Sequence, residues 1–97
     1  MRMSGVLLVL VLIWPEVTPA AQLRLTWMDN SYNEAGFQIE RRAETEDTVT
    51  PLTTVGMNIT AYVDYTVDAG TIYCYRVRAF SAEEVSAASQ EVCGQGS

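Results

Sequence analysis

Asp29, Ser31, Asn33 and Glu40 stand at positions 1, 3, 5 and 12 of a short window. Calcium loops flanked by helices use this spacing to wrap oxygens around the ion. Such a loop also needs glycine at position 6 for its sharp turn, and that residue here is Glu34. Its closing glutamate should open a helix, yet Glu40 lies in the alternating stretch "GFQIERR". The window therefore reads as a bend of turn formers that ends at Gly36 and launches a strand, and no metal site is expected. Three further carboxylates, Glu44, Glu46 and Asp47, share one polar, turn-rich stretch. Paired acids catalyse when they face each other across a cleft, so this group reads as a solvated loop. The chain has no histidine, no Gly-x-Ser-x-Gly and no phosphate-cradling glycine loop. Neither an enzyme nor a cofactor site is expected.

The sulfur chemistry points elsewhere. Cys74 and Cys93 are the two cysteines, with no CxxC motif and no imidazole to complete a zinc set. In a small exported domain an even pair means a disulfide. If Cys74 lies opposite Cys93 on antiparallel strands, Arg76 faces Glu91 and Arg78 faces Ser89. The turn then centres between Glu83 and Glu84. That register points Gln90 inward opposite Val77, so a bulge is expected near residues 86–89.

Export is read from the N-terminus. Arg2 precedes the apolar run "GVLLVLVLIW", and small residues follow at Thr18 and Ala20. This is the pattern of a secretory signal peptide over residues 1–20, cleaved after Ala20, with the folded domain over 21–97. The run is too short for a stable membrane span, which needs roughly 20 apolar residues. The alternatives are a buried hydrophobic strand or an uncleaved anchor. The protein is thus expected to be secreted, or held in the periplasm or cell envelope. Of its 97 residues, twelve are acidic and six basic, for a net charge of −6. With no basic stripe against that balance, nucleic acid is excluded as a partner.

The elements that position these groups alternate with period two. "QLRLTWM" sets Leu23, Leu25 and Trp27 against Arg24 and Thr26; "GFQIERR" sets Phe37 and Ile39 against Gln38 and Glu40. "TIYCYRVRAF" sets Tyr73, Tyr75, Val77 and Ala79 against Cys74, Arg76, Arg78 and Phe80. Weaker strands are expected over 52–55, 59–63 and 89–93, with turn formers between. Six short strands with no helical period predict an all-β, antiparallel sandwich. Trp27, Phe37, Tyr62, Tyr73 and Tyr75 fall on inward faces and are the expected aromatic core. Tyr32, in the bend, and Phe80, on an outward position, are the candidates for a contact surface.

The stretches "LTWMDNSYNEAGFQIERR", "TTVGMNITAYVDYTVDAGTIYCYRVRAF" and "SAAS" resemble a fibronectin type III domain of the bacterial extracellular style. The resemblance runs from Leu23 to Val92. Trp27 matches the buried tryptophan of the second strand, and Tyr73 the corner tyrosine whose hydroxyl returns to nearby backbone. Val67, Gly70 and Thr71 match the approach to that corner. Ser81 and Glu84 depart from the asparagine and glycine usual in the last turn. The family's first strand would fall at about residues 13–20, at the end of the leader. That strand is therefore either missing or supplied by the leader region. If it is missing, the strand from Leu23 to Trp27 has an open edge and can take a strand from a partner or a second copy. The resemblance implies an immunoglobulin-like, non-catalytic binding or spacer module, working with an extracellular protein or polysaccharide. The other reading is an accessory-domain remnant of a larger exported hydrolase.

Overall fold

A computed structural model describes residues 6–11 as a strand, and residues 21–29 and 34–96. Seven strands form: β1 (Val6–Val11), β2 (Leu23–Asp29), β3 (Gly36–Ala43), β4 (Thr50–Gly56), β5 (Ala61–Asp64), β6 (Ile72–Phe80) and β7 (Val92–Gln95). They make two antiparallel sheets, ordered β1-β2-β5 and β4-β3-β6-β7. The packed layers form an immunoglobulin-like sandwich of the fibronectin type III kind, with alternation supplying the core. Leu23, Leu25, Phe37, Ile39, Tyr75, Val77 and Ala79 are fully enclosed. The Trp27 and Phe37 rings meet edge to face, 5.7 Å between centroids.

The first strand corrects the placement expected from the resemblance. Residues 13–20 lie outside the described residues; the strand that pairs with β2 lies earlier, in the N-terminal apolar run. β1 pairs with all of β2 but Leu23, from Val6 opposite Asp29 to Val11 opposite Arg24. The physical reason for the misplacement is plain: an unbroken apolar run has no period, so nothing in it marks a strand.

The edge strand β4 carries Pro51, and the β3–β4 register shifts at Ile39 and Glu40, where Leu52 is the extra residue. Proline and a bulge both blunt an edge against further pairing.

The return from β6 to β7 also departs from expectation. Cys93 lies opposite Cys74, but the ladder ends at Tyr75–Val92, and the next bridge joins Phe80 to Val85. The turn is closed by Ser81 and Glu84, whose N–H donates to the Ser81 hydroxyl, and it centres one residue earlier than expected. Two surplus residues are absorbed between these points. There the Ser86 and Ser89 hydroxyls accept the Ala79 and Val77 amides, each at 2.9 Å. The Ser86 and Ser89 amides donate back to the Ala79 and Val77 carbonyls, each at 2.8 Å, so side-chain oxygens stand in only for the carbonyl half of the ladder.

Candidate functional site

The most concentrated group of polar side chains is built on Asp64, at the end of β5. Its carboxylate is fully buried, and four donors converge on it. Oδ1 accepts the Thr66 amide at 2.9 Å and the Thr66 hydroxyl at 2.6 Å. Oδ2 accepts the Tyr75 hydroxyl at 2.7 Å and Arg41 Nη1 at 2.9 Å. Arg41 also donates to Thr66 Oγ1 and lies 4.9 Å from the centre of the Tyr73 ring.

Burial pushes the Asp64 carboxyl upward, but the Thr66, Tyr75 and Arg41 hydrogen bonds outweigh it and hold the group below the usual carboxylate range. Burial, together with the bond to the Asp64 carboxylate, raises the Tyr75 hydroxyl well above its ordinary value. Burial lowers Arg41, and the bond and charge of Asp64 more than reverse it. A carboxylate with its acceptor sites so committed is a structural tie, here fastening β5 of one sheet to β3 and β6 of the other. Sequence reasoning did not single out this cluster. The signal was parity, because Arg41 follows Phe37 and Ile39 on the inward side of β3, and an inward arginine needs a buried partner.

The outer face of the four-stranded sheet carries further ion pairs. Glu40 Oε1 accepts Arg76 Nε at 2.5 Å and Arg78 Nε at 3.2 Å. Glu91 engages Arg42 through two parallel bonds of 3.0 and 2.8 Å. The expected Arg76–Glu91 and Arg78–Ser89 facing is thus corrected: the ladder stops before Glu91, so Arg76 and Arg78 turn to β3. Cys74 and Cys93 are joined, with Cα atoms 4.0 Å apart.

Trp27, Phe37, Tyr73 and Tyr75 are buried and Tyr62 is half-buried against them. The Tyr73 hydroxyl accepts the Asp68 amide at 2.9 Å, which closes the corner, and Gly70 there has a φ of 84° that suits glycine. Phe80, the other candidate for a contact surface, is on β6 at its last residue. It is half-buried because its ring covers Gly36, where an added Cβ would come within 3.1 Å of Cζ. Tyr32 lies outside the described residues. Glu44, Glu46 and Asp47 are exposed, and Glu44 borders a hollow of about 360 Å³ with Thr45, Gly70, Thr71 and Ile72.

Comparison with known proteins places the fold. No family model and no curated protein matches the sequence. Among solved structures, the chain is similar to a Fn3-like protein from Clostridium thermocellum, with 26% identity and a TM-score of 0.71 over 89% of this chain and 83% of that one. It is also similar to part of a β-1,2-glucanase from Parabacteroides distasonis, with 17% identity and a TM-score of 0.80. That match covers 97% of this chain but 13% of the glucanase. A pectate lyase from Erwinia chrysanthemi, solved with tetragalacturonic acid, matches with 16% identity and a TM-score of 0.76, over 93% of this chain and 28% of that one. The sandwich has the fibronectin type III fold.

Proposed function

We propose that the chain is a secreted, non-catalytic binding or spacer module of the fibronectin type III kind, serving extracellular protein or polysaccharide partners. The observation that carries this reading is the use made of its ionisable groups. Asp64, Arg41 and Tyr75 tie the sheets together, while Glu40, Glu91, Arg42, Arg76 and Arg78 pair across the strands. These groups hold a scaffold and present no acid–base pair to a substrate. The disulfide suits an oxidising compartment, in keeping with the leader pattern of residues 1–20.

The similarity to parts of the glucanase and the pectate lyase favours a second reading, that the chain is an accessory module of a larger exported hydrolase. One experiment separates the readings. The oxidised protein is titrated against a panel of extracellular polysaccharides, including β-1,2-glucan and polygalacturonate, with product release followed in parallel. Saturable binding confined to β-1,2-glucan or polygalacturonate, without turnover, supports the accessory role, and a stable domain that binds neither of these supports the free-standing module. Release of sugar by the purified chain contradicts both. Export is read from intact mass: a product beginning at Ala21 is expected, and a full-length cytoplasmic chain rejects secretion.

A further inference from the structure

The edge of β2 that faces β1 is the place where processing and folding meet. The amide of Trp27 donates to the Thr60 carbonyl, on the β5 side, at 3.0 Å. Successive amides along a strand point to opposite sides. Those of Arg24, Thr26 and Met28 therefore face β1, opposite Val11, Val9 and Leu7 in the register. β5 pairs with Leu23 to Thr26 and leaves the far end of β2 to β1 and the Thr60 contact.

The leader that reads as removable is thus the same segment that satisfies this edge. Its sequence, "VLLVLV", is apolar at every position. A strand closing a two-layer sandwich needs apolar residues at alternate positions only. The alternate set here lies opposite Leu25 and Trp27, which are 0% and 4% exposed, whereas Leu7 and Val11 lie opposite the exposed Met28 and Arg24. The run therefore satisfies two demands, an unbroken apolar core for export and a partner strand for β2. The lead-in adds a second observation. Ala21 and Gln22 are buried, and cleavage after Ala20 places a charged α-amino group on Ala21. An unpaired charge is not held in such surroundings, so it moves out to water and loosens the start of β2.

We propose that Val6–Val11 is an exchangeable strand, and that its removal opens the β2 edge to an aliphatic β-strand of a partner protein. This rests on the export reading for when the edge opens, but not for whether it accepts a strand. β1 itself shows the chemistry of the occupant: six extended residues, antiparallel to β2, aliphatic opposite Leu25 and Trp27. A second processed copy is the poorer donor. From Leu23 onward each of its strands already has a place in one of the two sheets.

The test uses the full chain with a protease site placed within residues 13–20, cut after folding and then offered a labelled Val6–Val11 peptide flanked by lysines. The nicked protein is expected to take up the peptide, with the uncut chain taking up at least about tenfold less, because its own strand is tethered at high effective concentration. A probe carrying Val9→Pro lacks the N–H facing β2 and is expected to lose binding, while Val9→Thr retains it. Leu8→Lys, opposite buried Trp27, is expected to abolish uptake, and Leu7→Lys, opposite exposed Met28, to preserve it. Equal uptake of all probes shows mere apolar adhesion and overturns the proposal. So does a nicked protein that takes up no probe. A doubled mass without probe binding places a second copy on the edge and overturns it equally. Export is scored separately by intact mass, so failure of secretion and failure of strand exchange are distinguishable.

Discussion

The two sheets of this sandwich are held in different ways. In the four-stranded sheet, β6 is fastened to β7 by the disulfide and to β3 by Glu40, and its Tyr73 closes the corner on Asp68. Across the layers, Asp64 ties β5 to that same sheet through Arg41 and Tyr75. The outer strand of the three-stranded sheet, β1, is an aliphatic run paired along β2. Backbone pairing and apolar contact suit any strand of similar pattern, whereas covalent and charge-paired ties suit only their own partners. The contrast separates a locked scaffold from an edge whose occupant can change.

The largest effect on the locked side is expected from Asp64→Ala. Removing one partner of a buried pair leaves the other uncompensated, and a loss of about 3–5 kcal/mol in urea unfolding is expected. The same carboxyl sets an acid limb. Its folded pKa is depressed, so its contribution is present above the unfolded value of about 3.9 and fades as pH falls through the lower folded value. Asp64→Asn should flatten that limb, and an unchanged acid slope would show that the tie is not ionic.

Replacing both Cys74 and Cys93 by serine opens a loop with a sequence separation of 19. The chain-entropy model gives about 3 kcal/mol for a loop of that size, read as a lower melting temperature. An unchanged melting temperature would remove the disulfide from the locked side. Tyr73→Phe deletes one hydrogen bond, for about 1 kcal/mol. Glu91→Gln breaks an exposed pair with Arg42, and the unfolding midpoint should not move measurably, since water and salt screen such pairs.

Most of the locked sheet was legible because its strands face the core on one side and solvent on the other. Phe37 and the tyrosines of β6 announce their faces by alternation, as Trp27 does on β2 of the other sheet. The Asp64 tie was harder to see. Arg41 carries the parity signal, but its partner lies 23 residues away on the other sheet. Pairing between sheets leaves no local period to read. The segment after β6 misled for another reason, since Ser86 and Ser89 satisfy the amides of Ala79 and Val77 with side chains. A register carried back from Cys93 therefore fails before Glu91. The first strand was obscured by its own uniformity. One apolar run answers equally to a leader and to a strand, and the residues alone do not rank the two uses.

The central claim is that the β1 side of β2 opens independently of the rest. Native-state amide exchange on the intact chain tests it most directly, because neighbouring amides of β2 face different partners. Arg24, Thr26 and Met28 should exchange through an opening of lower free energy than Leu25 and Trp27, and than the amides shared by β3 and β6. If all of these amides open together with global unfolding, β1 is as firmly built in as any other strand and the account is contradicted.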